Sequence, residues 1–260
     1  MVMDNKINIF KKSDGGYIFL SHSHLDIKQV RKIRNVLEDS GYEPLCFYLK
    51  CLTDDDEVEG LIKREIDSRD IFLYVESKNS KKSKWVQKER EYINSLKDKS
   101  VYKISIDKID DLEAAVKGVL KRTRVFLEYS MIDRNIYNKI KQKLIEKDLK
   151  VIDPLEENYN HTFWKFAFKK WIRLVCKEGC YVPIVTKNSL KSIYFKYLLE
   201  YAFKTNPNVV VPIIVGDLDM NEVRSLIHHD VIYEKISEEA TEEEINEVYK
   251  TIKYVLVNKQ

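Results

Sequence analysis

The polar residues best suited to chemistry each follow an apolar run with the length of a β-strand. Ser21 and His22 come after the first run, a polar loop at residues 50–57 comes after the second, and Glu89 lies in an amphipathic stretch after the third. Ligands of an open parallel sheet bind at the carboxyl ends of its strands, so we expect these residues to meet in one crevice. A carboxylate held there can stabilise a positive charge that develops on a substrate, or can bind its hydroxyl groups. In the local sequence KEREYI, however, a glutamate that forms ion pairs on a solvent-facing helix would be unremarkable.

The chain repeats itself, and the repeat distinguishes Glu89 from its surroundings. Residues 77–85 read SKNSKKSKW and residues 186–194 read TKNSLKSIY, while IFLSHSHLD at 18–26 matches VFLEYSMID at 125–133. The offset between matching positions is 107 residues at the first strand and 109 at the third, as duplication of a whole domain would leave. The second copy has Leu198 in place of Glu89 and Glu128 in place of Ser21. We therefore expect a site that is kept in the first copy and lost in the second.

Both halves alternate short apolar runs with amphipathic stretches, the pattern of strands that feed crossover helices into a parallel sheet. The predicted strands are 17–21, 44–48, 71–75, 102–106, one that starts near Arg124, 150–152, 181–185 and 209–215. The predicted helices are 27–37, 58–66, 83–96, 112–120, 136–145, 163–175, 192–203 and one with a capping box near Thr241. The sequence thus predicts an α/β fold with two domains, 1–122 and 123–260, each with a parallel sheet of about four to five strands.

Composition and charge restrict the class of protein. The chain has 260 residues, of which 44% are hydrophobic and 33% charged, and this balance fits folded domains rather than a disordered chain. The 45 basic and 42 acidic residues nearly cancel, so we expect no nucleic-acid partner. No stretch approaches the ~18 apolar residues of a membrane span and no signal-type segment is present, so we expect a cytoplasmic protein without a membrane partner. Reduced thiols are expected for the four cysteines because the chain shows no secretory signal, and no metal site is expected because neither cysteine pair has CxxC spacing.

Several motifs in a fixed order resemble the Toll/interleukin-1 receptor (TIR) domain. They are a strand ending in FLSHSHLD, an acidic loop after the second strand, an apolar third strand that closes on Ser77, and the pattern S-x-W-x-x-x-E formed by Ser83, Trp85 and Glu89. The similarity covers residues 15–122. It implies a flavodoxin-like fold and, as in bacterial, plant and some animal members, an enzyme that cleaves the nicotinamide–ribose bond of NAD. NAD would then be a substrate, and no bound cofactor is expected.

The resemblance also implies roles for single residues. Glu89 matches the catalytic glutamate, and the residues expected to bind substrate are Ser21, His22, Tyr48, Lys50, Ser83 and Trp85. Nicotinamide leaves as a neutral group, so one carboxylate can suffice to stabilise the oxocarbenium-like ribose. For Trp85 itself a packing role is favoured over a ligand contact, because Tyr194 holds the same position in the second copy. Asp26, which recurs as Asp133, is expected to be a helix N-cap.

The resemblance to bacterial members implies a role in defence against phage. In that interpretation the first domain consumes NAD, the second is a degenerate TIR-like copy, and the product is ADP-ribose or a cyclic or otherwise modified form that acts as a signal. Self-association through TIR–TIR contacts, a phage-derived trigger and an effector that reads the product would accompany it. Two alternatives stay open: a noncatalytic adaptor that assembles through TIR–TIR contacts, and a second copy that senses a nucleotide or a phage protein and controls the first.

Overall fold

The alternating strands and helices fold into two parallel sheets in a computed structural model of the chain. The structure describes residues 15–46, 55–96, 99–152, 164–227 and 230–258, without the side chains of 55–58 and 164–168. Contacts divide these residues into an N-terminal unit, Gly15–Val119 with Lys147–Leu149, and a C-terminal unit, which holds Leu120–Glu146 and the residues from Lys150 onwards. Each unit contains one of the sheets.

The N-terminal unit is built on a four-stranded parallel sheet in the order β2-β1-β3-β4. Its strands are β1 (Tyr17–Ser21), β2 (Glu43–Leu45), β3 (Ile71–Glu76) and β4 (Ser100–Ser105). The helices of this part of the chain are α1 (Ile27–Asp39), α2 (Asp55–Asp67), α3 (Lys84–Ser95) and α4 (Leu112–Lys121). The chain leaves β1 towards β2 and returns to pair β3 on the other side of β1, so the carboxyl ends of β1 and β3 flank the point where the strand order reverses.

Side chains of α2 and α3 cover one face of this sheet. A buried apolar cluster joins the sheet residues Phe19, Phe72 and Tyr74 to Ile62 of α2 and Ile93 of α3. Residues two apart on a strand share a face, so Ser21 lies on the same side as Phe19 and is opposite Tyr74 in the register of β1 and β3. Packing of the apolar cluster therefore places the carboxyl end of β1 under α3.

The C-terminal unit contains a five-stranded parallel sheet in the order β6-β5-β7-β8-β9. Its strands are β5 (Arg124–Glu128), β6 (Lys150–Ile152), β7 (Cys180–Val185), β8 (Ile213–Val215) and β9 (Glu234–Ile236). Its helices are α5 (Arg134–Glu146), α6 (Trp164–Glu178), α7 (Ile193–Thr205), α8 (Met220–Leu226) and α9 (Glu242–Asn258). The first four strands repeat the order of the N-terminal sheet. The predicted fold class, two parallel sheets of four to five strands flanked by helices, is confirmed.

The loop after β3 is anchored by Asp26, which lies just before α1. The Asp26 carboxylate accepts hydrogen bonds from Ser77 Oγ at 2.5 Å and from Asn79 Nδ2 at 2.7 Å. Ser80 Oγ accepts another from the Ser77 backbone N–H at 2.8 Å. We call this set of bonds the loop anchor. Asp26 occupies the N-cap position of α1, as expected, but its carboxylate makes no capping hydrogen bond to the helix and instead reaches a loop distant in sequence.

The C-terminal unit forms the same loop anchor from its own residues. Asp133 accepts hydrogen bonds from Thr186 Oγ1 at 2.5 Å and from Asn188 Nδ2 at 2.7 Å, and Ser189 Oγ accepts from the Thr186 backbone N–H at 2.8 Å. The repeated residues of the sequence are thus largely those that hold this loop in place.

The C-terminal unit also departs from the sequence-based expectations. The strand predicted at 209–215 begins only at Ile213, because Val209 closes a 3-10 turn and Pro212 has no N–H to donate. Neither α8 nor β9 was predicted. The capping box is confirmed: Thr241 Oγ1 accepts from the Glu244 N–H at 3.3 Å, and the Glu244 carboxylate accepts from the Thr241 N–H at 2.7 Å.

Among the described residues, no helix is long and apolar enough to cross a membrane. No group of three or more His, Cys, Asp or Glu side chains is arranged there to hold a metal ion.

Candidate active site

Glu89 is held at the carboxyl end of β1 by the way α3 begins. Ser83 caps the helix, since its Oγ accepts from the Val86 N–H at 3.4 Å, and α3 then starts at Lys84. Glu89 lies in the second turn and its carboxylate accepts a hydrogen bond from Ser21 Oγ at 2.5 Å. Ser21 is the last residue of β1 and is buried. The sheet and the helix thus bring together two predicted site residues that are far apart in sequence.

The surroundings of Glu89 disfavour its charge. Burial raises the pKa of its carboxyl group to about 7, and the hydrogen bond from Ser21 acts in the opposite direction. At neutral pH such a group is close to half ionised. A carboxylate that is poorly solvated gains more from a cationic neighbour than an exposed one does, so this position is suited to stabilising positive charge.

Tyr74 lies on the sheet next to this pair and was not among the predicted site residues. It is opposite Ser21 in the strand register, and its hydroxyl donates to the backbone carbonyl of Arg90 at 3.4 Å. Burial raises the pKa of Tyr74, and the negative charge of Glu89 raises it further against the effect of Arg90. The signal in the sequence was a tyrosine in an otherwise apolar buried strand, since a buried hydroxyl requires a partner.

His22 follows Ser21 and is directed by its own backbone. Its Nδ1 lies 3.0 Å from the carbonyl oxygen of Leu20, so Nδ1 carries a proton in this arrangement. Burial lowers the pKa of His22, so the ring is neutral at neutral pH. The structure places His22 at the strand end as expected, and its contact with substrate stays a prediction.

Trp85 packs against the apolar cluster of the N-terminal unit. The Lys88 ammonium lies 5.1 Å from the centroid of its ring. A cavity of about 40 Å³ separates it from α2, with Ile62 and Glu89 also in its lining. That volume is smaller than a nicotinamide ring requires, so Trp85 has a packing role in this structure and binding would need α2 and α3 to separate.

The remaining predicted residues divide into two groups. Ser83 is brought to the start of α3, where its hydroxyl serves as the helix cap. Tyr48 and Lys50 lie outside the described residues, so their part in the site stays a prediction.

The corresponding place in the C-terminal unit has the same scaffold with different chemistry. Ser192 caps α7 as Ser83 caps α3, with its Oγ accepting from the Phe195 N–H at 3.2 Å. Leu198, at the position of Glu89, is buried in the apolar core. Glu128, at the position of Ser21, is buried at the end of β5. The hydroxyl and carboxylate that meet in the N-terminal unit are therefore both replaced in the C-terminal unit.

Comparison with known proteins assigns the N-terminal unit to a family. No curated protein and no solved structure matches the chain. A family model described as TIR domain matches residues 18–119, a range that includes the strands and helices from β1 to most of α4. This match, on a parallel sheet flanked by helices, shows that residues 18–119 of the chain form a TIR domain.

Proposed function

We propose that the TIR domain cleaves the bond between nicotinamide and ribose in NAD, with Glu89 as the catalytic residue. The observation that carries the proposal is the hydrogen bond from Ser21 to the Glu89 carboxylate at the carboxyl ends of the strands. Within a TIR domain this is where an open parallel sheet places its ligand. The loss of both residues from the equivalent place in the C-terminal unit supports a role beyond folding.

In the proposed reaction the bond between ribose C1′ and the nicotinamide nitrogen breaks. Its electron pair moves to the ring, which leaves as neutral nicotinamide, and positive charge grows on the ribose. The Glu89 carboxylate stabilises that charge, and Ser21 holds the carboxylate in one orientation. Water that attacks C1′ yields ADP-ribose and a proton, whereas attack by a nitrogen or hydroxyl of the same molecule yields a cyclic form and likewise releases a proton. The cationic nicotinamide ring of NAD favours ionised Glu89 on binding.

Nicotinamide release from NAD by the purified full chain tests the proposal. Glu89→Gln keeps the size of the side chain and one acceptor oxygen but removes the charge, and we expect it to lower the rate by at least about a hundredfold. Glu91→Gln is the matched control, because Glu91 is an exposed glutamate of the same helix. Equal rates for Glu89→Gln and the wild type would overturn the proposal.

The wider setting is also a proposal and follows from the bacterial members that the sequence resembles. We infer that the product is a signal in defence against phage, that a phage-derived component triggers its synthesis, and that an effector reads it. Cells that express the chain should survive infection better than cells that express Glu89→Gln. Equal survival would remove the defensive role and leave the chemistry untouched.

A second candidate function is assembly, and exposed apolar residues of the C-terminal unit favour it. Met131 and Ile132 follow β5, and Ile193 and Tyr194 begin α7. All four are exposed. The loop anchor ties Asp133, next to Ile132, to the loop that leads into α7, so both pairs lie at the carboxyl edge of the sheet. In this interpretation they form a TIR–TIR contact, and Ile132→Asp with Ile193→Asp should reduce the mass of the species seen by sedimentation. An unchanged mass would exclude this surface.

A further inference from the structure

A second cavity, of about 140 Å³, lies between α3 and the carboxyl end of β3. The α3 residues that line it, Val86, Gln87 and Arg90, differ from those that line the small cavity beside Trp85. The lining includes the side chains of Tyr74, Glu76, Lys81, Val86, Gln87 and Arg90. The cavity therefore borders the same helix that carries Glu89.

The cavity carries more positive than negative charge. Arg90 and Lys81 contribute two cations and Glu76 one carboxylate. Arg90 Nη1 lies 3.9 Å from Glu76 Oε1, which is an ion pair without a hydrogen bond, and the guanidinium lies 5.8 Å from the centroid of the Tyr74 ring. Arg90 is partly exposed, and its guanidinium lies near Glu76 and the Tyr74 ring with N–H groups that can reach a ligand in the cavity. A guanidinium matches the oxygens of a phosphate group.

The C-terminal unit provides an internal comparison, because it keeps the scaffold and fills the equivalent space. Leu190, Phe195 and Leu199 stand where the N-terminal unit has Lys81, Val86 and Arg90. All three are buried in the apolar core of the C-terminal unit. Both cations are thereby lost, and the smaller valine is replaced by phenylalanine.

The two units also differ on the strand that borders the cavity. Pro183 and Val185 of β7 stand at the positions of Tyr74 and Glu76. The loop anchor and the helix-capping serine, in contrast, are present in both units. The polar lining of the cavity accompanies Glu89 and is dispensable for the fold, which is the pattern expected of residues that serve a ligand.

We propose that this cavity is a phosphate subsite of the Glu89 centre and that Arg90 binds the diphosphate of the dinucleotide. The inference rests on the proposed function. In NAD the diphosphate is joined to the nicotinamide ribose through a single methylene, so a cation next to Glu89 on the same helix matches the connectivity of the substrate. Tyr74 links the two sites, because its hydroxyl donates to the Arg90 backbone and its position on the sheet is opposite Ser21.

Calorimetric titration of the full-length Glu89→Gln protein with ADP-ribose tests the subsite without turnover. Adding Arg90→Gln should weaken binding by at least about tenfold, the effect of losing a hydrogen bond from a charged donor. Nicotinamide riboside, which has no phosphate, should bind with the same affinity to both proteins. Lys82→Gln is the control, because Lys82 is an exposed cation next to Lys81 in the turn before α3 and is not part of the lining.

A second variant closes the cavity with a side chain that the C-terminal unit already accommodates. Val86→Phe places there the residue type found at Phe195, and it should abolish ADP-ribose binding while circular dichroism and the melting temperature confirm a folded protein. Unchanged ADP-ribose affinity in Arg90→Gln, equal loss in Lys82→Gln, or no ADP-ribose binding by Glu89→Gln itself would each overturn the subsite.

Failure of the subsite and failure of the proposed function give different results. If nicotinamide release depends on Glu89 but ADP-ribose affinity does not depend on Arg90, the proposed function is supported and the phosphate subsite is excluded. Binding of ADP-ribose that depends on Arg90, without any nicotinamide release by the wild type, leaves a phosphate site in a domain that does not cleave NAD.

Discussion

The hydroxyl of Ser21 donates a 2.5 Å hydrogen bond to the carboxylate of Glu89 across 68 residues of sequence. Burial raises the pKa of Glu89 to about 7, and this hydrogen bond limits the rise. The two effects leave a carboxylate that is costly to ionise yet ionisable near neutral pH. Such a balance is common where a protein uses a charge in a reaction, and it gives Ser21 a measurable role as a positioning residue.

Replacing Ser21 should move the pH dependence of NAD cleavage. Because the hydrogen bond stabilises the ionised form of Glu89, Ser21→Ala should raise the pKa of Glu89 further above its value of about 7. In the proposed reaction the acidic limb of the profile of kcat/KM against pH follows the ionisation of Glu89, so it should shift to higher pH in Ser21→Ala. Ser95→Ala, an exposed serine at the end of α3, is the control. A limb that stays in place for Ser21→Ala would show that the hydrogen bond does not tune Glu89.

Glu89 should lower the stability of the folded protein at neutral and alkaline pH. Its folded pKa of about 7 lies above the ordinary value of 4.5, so the folded state holds its proton more tightly. Compared with a neutral side chain, Glu89 does not change the free energy of unfolding below pH 4.5. It lowers this free energy progressively between pH 4.5 and about 7, and the full loss persists above pH 7. We expect Glu89→Gln to raise the free energy of unfolding by roughly 2 kcal/mol at pH 8, allowing for partial exposure.

Urea unfolding at pH 5 and pH 8 measures this difference. The gain from Glu89→Gln should be larger at pH 8, whereas Glu91→Gln, on the exposed side of the helix, should show no such dependence. A gain that is equal at both pH values would argue against a buried ionised carboxylate.

The loop anchor should contribute to stability in both units and in similar measure. Ser77→Ala and Thr186→Val each remove a buried hydroxyl that donates to an aspartate, and each should lower the free energy of unfolding of its unit by about 1–3 kcal/mol. Thr186→Val is the more conservative in shape. Unfolding followed by urea and hydrogen exchange checks both, and a loss confined to Ser77→Ala would show that the bond serves the TIR domain alone.

The sequence predicted most of the strands and helices, but few of the side-chain contacts around Glu89. The buried strands were visible because apolar runs such as Ile71–Val75 have no competing pattern, and helices such as α3 were visible through their caps and periodicity. The partner of Asp26 was not visible, since Ser77 is distant in sequence and both residues have common local roles. Strand β9 was missed because three residues with an alternating polar pattern give no signal above their surroundings.

The contrast between Glu89 and Leu198 in the two matching segments was the most productive signal in the sequence, and it depends on the equivalence of these two positions. Equal helix caps and equal loop anchors support that equivalence in three dimensions. The contrast did not show that the residues lining the cavity beside β3 also differ between the two units. Tyr74 became a candidate only when the fold placed it opposite Ser21 and near Glu89. Arg90 became one only when the structure showed that it lines the cavity beside β3.

Restoring the glutamate to the C-terminal unit should damage that unit without making it active. Leu198 is buried in the apolar core, so Leu198→Glu both removes packing and buries a carboxyl group, at a cost of at least about 3 kcal/mol. Glu128 stands where Ser21 would donate, and two buried carboxyl groups at those positions oppose each other's ionisation. Adding Glu128→Ser should therefore recover part of the lost stability.

The C-terminal unit should also stay inactive when its glutamate is restored. In the Glu89→Gln background neither variant should release nicotinamide, because Phe195 and Leu199 still fill the space that the N-terminal unit leaves open. Nicotinamide release by the double variant would show that the C-terminal unit keeps a working pocket and that its glutamate alone was lost.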